Sequence, residues 1–203
     1  DHYTIREYIR NFIMSTLETN LIQPSTGTTL TLGASGDTIS KGSGVVSRLG
    51  VFESQLLHVR DEKASGAVGG GSTSAGDNTC VLNTIKTNEI TGASLSSNQI
   101  TLPAGTYYID ATVLGFFVNR FRGFLRNITD SSDIILGQAG YGVATSPSSQ
   151  GVSKVCGRFT IASQKVFEMK LFCQTARGSN GFGVDTNDGR TNVYTDVQIW
   201  RTA

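Results

Sequence analysis

Between residues 52 and 201 apolar side chains recur at every second position in short runs, and each run stops at a cluster of turn-forming residues. In the last run Val193, Thr195, Val197 and Ile199 alternate with Tyr194, Asp196, Gln198 and Trp200. A period of two sends successive side chains to opposite faces of a strand. Runs of this kind are predicted at 52–59, 79–87, 99–102, 106–114, 120–128, 134–136, 152–161, 166–174, 182–185 and 192–201. Between them lie Pro103-Ala-Gly105, Asp130 to Asp133, the SPSSQG stretch at 146–151 and Asn187-Asp-Gly189. Many short strands with no helical period between them specify an all-β sandwich or barrel. The 24 glycines against 3 prolines suit such tight turns.

The chain divides into three zones. Residues 1–22 open with Thr4-Ile-Arg-Glu7, which reads as a capping box. Ile5, Tyr8, Ile9, Phe12, Ile13 and Leu17 then recur at helical spacing, predicting a helix from about residue 5 to 19. An isolated helix of that length is marginal in water, so its apolar stripe needs a partner surface. Residues 23–51 alternate briefly between glycines and read as an extended arm. Residues 52–203 form the head, inside which the glycine-rich 66–78 stretch reads as a flexible surface loop. The domain reading is therefore a helix and arm over 1–51 and a globular head over 52–203.

Composition narrows the function. A formal charge of +1 with 16% charged residues argues against a nucleic-acid partner, which calls for a clustered basic surface. No apolar run reaches the ~18 residues of a membrane span, so membrane insertion is not expected. The three cysteines, Cys80, Cys156 and Cys173, cannot all pair within one chain. If the runs at 152–161 and 166–174 form a hairpin with their apolar sides together, Cys173 opposes Val155 and Cys156 faces away. Three free thiols are predicted, as in a reducing cytoplasm.

Sites of chemistry are sparse. His58, between Leu57 and Val59, has no cysteine–histidine or G-x-S-x-G context and reads as a satisfied strand histidine. Asp61, Glu62, Asp185 and Asp188 are carboxylates of the kind a polysaccharide hydrolase needs in pairs, but they sit where acidic turn residues are ordinary. The Asp185 to Gly189 stretch has its glycine one place short of a calcium loop, so a turn is expected. Gly66 to Gly71 lack the lysine and hydroxyl ending of a phosphate loop. Arg120, Arg122 and Arg126 interleave with Phe121 and Phe124; this pattern can bind nucleic acid, and it equally describes the outer face of one strand making subunit or ligand contacts. No enzyme, cofactor or metal is predicted. On the last strand Tyr194, Gln198 and Trp200 share the non-core face, and a tryptophan there calls for cover by another subunit.

The runs SSNQITLPAGTYYIDA (96–111), FLRNITDSSDIILG (124–137) and NGFGVDTNDGRTNVYTDVQIWR (180–201) resemble the tip domain of tailed-phage fibre and virion proteins. FESQLLHVRDEKASG (52–66) and MSTLETNLIQPSTGTTLTLGASGDTI (14–39) extend the resemblance from Met14 onward. It implies a jelly roll similar to the trimeric heads of tumour necrosis factor and complement. It also implies a homotrimer with the last strand near the three-fold axis, tip loops that contact a host-surface glycan or protein, and no catalysis. The compact chain with its own helix then reads as a capsid decoration, or cement, protein on the virion surface, assembled in the host bacterial cytoplasm. Ile5, Tyr8, Ile9, Phe12, Ile13 and Leu17 would dock on the major capsid protein, Tyr194, Gln198 and Trp200 would form the trimer face, and the loops near 66–78, 141–149 and 185–191 would meet the host. The alternative is the receptor-binding tip of a tail fibre or tailspike, joined to a fibre shaft or adaptor. A secreted trimeric signalling ligand shares the fold, but the phage-like arm counts against it.

Overall fold

The computed structural model describes residues 55–145 and 149–202, and the chain divides into units at 1–51 and 52–203. The helix expected at 5–19, the arm and the docking residues Ile5, Tyr8, Ile9, Phe12, Ile13 and Leu17 lie outside the described residues.

Eleven strands make up the described head: β1 (Gln55–Lys63), β2 (Gly76–Thr79), β3 (Thr84–Asn88), β4 (Ser94–Ser96), β5 (Gln99–Leu102), β6 (Gly105–Phe116), β7 (Asn119–Asn127), β8 (Ser132–Gly142), β9 (Gln150–Ile161), β10 (Lys165–Cys173) and β11 (Asn192–Arg201). One sheet has the order β3-β1-β11-β6-β9, the other β4-β5-β10-β7-β8 with β2 alongside β10. Within both sheets every pairing is antiparallel. The partners nest: β7 with β8, β6 with β9, β5 with β10. A long hairpin rolled so that its nested pairs alternate between two facing sheets is a jelly roll.

Alternation explains the core. Tyr107, Ile109, Ala111 and Val113 of β6 face Phe167, Met169 and Leu171 of β10 across the interior, all buried. Tyr107 stacks on Phe159, which tilts against Phe167 in the opposite sheet, each pair 5.5 Å apart. The Tyr107 hydroxyl donates to the Pro103 carbonyl at 2.7 Å, so the buried ring keeps its polar tip satisfied.

The structure differs from the sequence reading at five points. Strands β9 and β10 do not form a hairpin. β9 pairs with β6 and β10 with β7, β5 and β2, so the two lie in opposite sheets. Their apolar faces do meet the same interior, which facing sheets achieve as well as a hairpin does. Cys156 is accordingly exposed on one outer face, while Cys80 and Cys173 are buried. The predicted run 79–87 splits into β2 and β3, with Cys80 to Asn83 crossing between sheets, and 182–185 is not a strand. β4 was missed because it is three residues long; a two-residue turn joins it to β5, with Ser97 and Asn98 both at positive φ (51° and 65°). Finally, the glycine-rich loop is pinned. Gly70 and Gly71 donate to the carbonyls of Gly183 and Ser179 at 2.9 Å, and Thr73 exchanges two backbone bonds with Arg177. A Cβ on Gly70 would lie 2.8 Å from Phe182, so glycine there serves close approach rather than looseness.

Glycine also sets the thickness of the sandwich at one end. Phe121 points inward from β7, and Cβ atoms placed on Gly115, Gly140 and Gly151 would lie 2.4 to 2.8 Å from its ring. Three strands leave out a side chain so that one aromatic ring fits.

Candidate functional site

The outer face of the five-stranded sheet carries the residues singled out on the last strand. Register places three rows across β1, β11, β6 and β9: Leu56–Trp200–Tyr108–Arg158, His58–Gln198–Asp110–Cys156 and Arg60–Asp196–Thr112–Lys154. Trp200 and Tyr108 tilt against each other at 6.2 Å, and Tyr108 is 41% exposed. Around this aromatic pair most charges are paired, the exposed Arg158 beside Tyr108 excepted. His58 Nε2 lies 3.2 Å from both Asp196 carboxylate oxygens and 3.0 Å from Arg60 Nε. Carrying a proton, Nε2 donates to the carboxylate; without one it accepts from Arg60. Arg60 also binds Asp196 directly and reaches Glu62 at 3.5 Å, which Lys86 approaches to 3.3 Å. Burial opposes ionisation of Asp196, but the His58 hydrogen bond and the His58 and Arg60 charges outweigh it and hold the carboxyl below its usual range. Lys154 pairs with Asp110, and this hydrogen bond raises the ammonium's pKa.

Tyr194 departs from the expected face. Val193 opposes Glu62 and Thr195 opposes Asp61, so Tyr194 is the extra residue of a β-bulge. The bulge reverses the alternation. Tyr194 turns inward at 2% exposure while Val193 faces solvent at 39%. Lys63 lies over the Tyr194 ring at 5.0 Å and bonds the buried Asp61 carboxylate at 2.5 Å. Burial raises the Asp61 pKa, against the pull of Lys63. Gln198 and Trp200 share the outer face; Tyr194 does not. Asp196 and Arg60, which engage His58, were missed in sequence because cross-strand neighbours follow from register, which the local pattern leaves open.

The carboxylates considered for catalysis are each engaged. Asp185 accepts from the backbone of Gly66 and Asn187 and from the Asn192 amide at 2.6 to 2.9 Å, and these bonds lower its pKa. That carboxylate is filled with N–H donors and closes a turn. Asp188 pairs with Arg190 at 2.8 Å. Cys156 shares a row with His58 but sits three strands away, about 14 Å at ~4.8 Å per strand, beyond proton-transfer reach. Among the described residues no group of three His, Cys, Asp or Glu side chains converges to hold a metal ion. On the other sheet Arg126 is held by Asp133 at 2.7 Å, whereas Arg120 and Arg122 face outward from the same strand.

The fold defines the class: a two-sheet antiparallel jelly-roll sandwich. The chain is similar in shape to murine APRIL at pH 5.0 (TM-score 0.49, 10% identity, 73% of this chain and 99% of that one). It is also similar to the globular domain of zebrafish complement 1qA protein (TM-score 0.45, 9% identity, 72% of this chain and 94% of that one). No family model matches the chain, and no curated protein matches it in sequence.

Proposed function

We propose that this protein is a trimeric decoration protein on the outer surface of a bacteriophage capsid. The observation that carries the assembly half is the face holding Trp200, Tyr108 and Gln198. The chain's only tryptophan and a partly exposed tyrosine meet in register there, beside charges that are mostly paired. Three copies meeting around an axis would cover these rings, and an assembly of this kind buries on the order of 2,000 Å² or more. The virion half rests on the phage-like motifs at 14–39, 96–111, 124–137 and 180–201. In this reading the apolar stripe Ile5, Tyr8, Ile9, Phe12, Ile13 and Leu17 docks on the major capsid protein. Three weak attachments joined by one trimer act together, and effective concentration makes them tight.

Sedimentation of the full chain tests the first half. The native protein is expected as a trimer at micromolar concentration and Trp200→Ser as monomer or aggregate; a native chain that runs as a folded monomer refutes the proposal. Binding to empty capsids tests the second half. A Phe12→Ser, Ile13→Ser double variant should remain a soluble trimer but fail to attach, and undiminished attachment excludes the docking role. The fibre-tip reading keeps the same head. The outward Arg120 and Arg122 favour it, because they offer a ligand surface on the sheet opposite the proposed assembly face. Copy number separates the two: hundreds per particle for decoration, a few dozen at most for a tip.

A further inference from the structure

The outer face of the six-stranded sheet holds a groove of about 760 Å³, within the size range of small-ligand sites. Its shape follows from a bulge. Arg122 pairs with Ala139 and Phe124 with Leu136, so Gly137 and Gln138 of β8 stand opposite the single residue Gly123 of β7. The added residue bends β8, and small Ala139 leaves space beside Arg122. Phe124, 4% exposed, lies in the floor.

The lining combines exposed apolar side chains with unpaired cations. Phe172, Leu136 and Tyr141 are 43%, 58% and 59% exposed and all face this groove. Exposed apolar side chains are ordinary when scattered; here three converge on two guanidiniums. Neither the Arg120 nor the Arg122 side chain has a hydrogen-bond or ion-pair partner among the described residues. Arg158 on the other sheet also has none, but Arg120 and Arg122 stand together on one strand beside three exposed apolar side chains, and Arg126 of that strand is paired with Asp133. Register orders the groups across the sheet as Asp77, Phe172, Arg122, with Arg120 and Tyr141 paired one step along. An acceptor thus lies on one side of an aromatic face and two fork-shaped cations on the other.

We infer that this groove binds an acidic saccharide, with its carboxylate on Arg120 and Arg122 and a sugar ring packed on Phe172, which lies between them and Asp77. A carboxylate matches the guanidinium fork with two parallel hydrogen bonds. The C–H face of a pyranose covers an aromatic ring, and its hydroxyls donate to Asp77. A single-stranded nucleic acid fits less well. Its backbone needs a continuous positive track, and this groove is bounded by Asp77 and Asp133 in a chain of net charge +1. The inference does not depend on trimer formation or on the capsid reading, since the groove belongs to the sheet opposite Trp200.

Titration calorimetry of the full chain tests it with four probes: trigalacturonate, 3′-sialyllactose, lactose and a ten-residue oligothymidylate. At least one acidic sugar is expected to bind, with lactose and the oligonucleotide about tenfold weaker or more. Arg120→Ala with Arg122→Ala, and separately Phe172→Ser, should each weaken the acidic sugar by about tenfold or more, with melting temperature and sedimentation unchanged. The inference is overturned if neither acid binds at millimolar concentration, or if lactose or the oligonucleotide binds as well as the acids. It is equally overturned if either the arginine variant or Phe172→Ser binds normally, or if the arginine variant changes the oligomeric state, which would make the groove a contact between copies.

Discussion

Replacing Ser153 with alanine should be among the most damaging single-atom changes in the head. Ser153 is fully buried on β9 and faces the bulge in β8. Because Gly137 and Gln138 stand opposite one residue, the Gly123 N–H and the Gln138 carbonyl lose each other as partners. The Ser153 hydroxyl takes both places, accepting from Gly123 N–H at 2.8 Å and donating to the Gln138 oxygen at 2.6 Å. Alanine removes one oxygen and leaves two backbone groups unpaired. Orphaning the buried Gly123 N–H costs about 1–3 kcal/mol, and water can partly replace the bond lost at the part-buried Gln138 carbonyl, so the substitution should cost about 1–3 kcal/mol in total. The control is Thr160→Ala on the outer face of the same strand, where a 3.1 Å bond to the Thr106 hydroxyl is exposed to water; about 0.5 kcal/mol or less is expected. Urea unfolding followed by the emission of Trp200, at one fixed protein concentration, gives both numbers. Amide exchange at Gly123 should also quicken in the variant. A Ser153→Ala loss below about 1 kcal/mol, or one equal to the Thr160 control, would show that the hydroxyl is not what completes the bulge.

Gly140→Ala would place a methyl 2.4 Å from Phe121 Cζ. Overpacking of this kind costs about 1–3 kcal/mol, and Phe121→Leu in the same chain should recover part of it in a double-mutant cycle; additive losses would mean the two do not meet. Glu168 gives a dependence on acid. Burial resists its ionisation, but bonds from Lys170, Gln99 and Thr79 prevail and lower its pKa from the ordinary 4.5. A depressed carboxyl contributes stability that is complete above the unfolded value and lost as pH falls through the folded one. The native head should therefore lose stability below pH 4.5 more steeply than Glu168→Gln, and parallel curves for the two would refute the assignment.

Much of the fold was legible because alternation is local. The apolar halves of the predicted runs at 106–114, 152–161, 166–174 and 192–201 became the buried faces of β6, β9, β10 and β11. Alternation broke down where a bulge adds a residue: Tyr194 read as outward and turned inward. The carboxylate partner of His58 could not be read because Asp196 is 138 residues away and meets it through register. The groove went unseen for the same reason, as Asp77, Arg122 and Tyr141 come from three strands.

The sequence by itself determined that this chain makes strands, which side of each strand is apolar, and where most of the turns fall. These depend on neighbours two to four residues away, whose steric and solvation preferences act without the rest of the chain. Only the tertiary structure decided which strands are neighbours. Cys156 and Cys173 ended in opposite sheets because an apolar face is equally satisfied by a partner beside it or a sheet above it. Gly115, Gly140 and Gly151 are strand positions, emptied so that the ring of Phe121 fits between the sheets. A vacancy of that kind is specified by the shape of a distant side chain, and no local pattern records it.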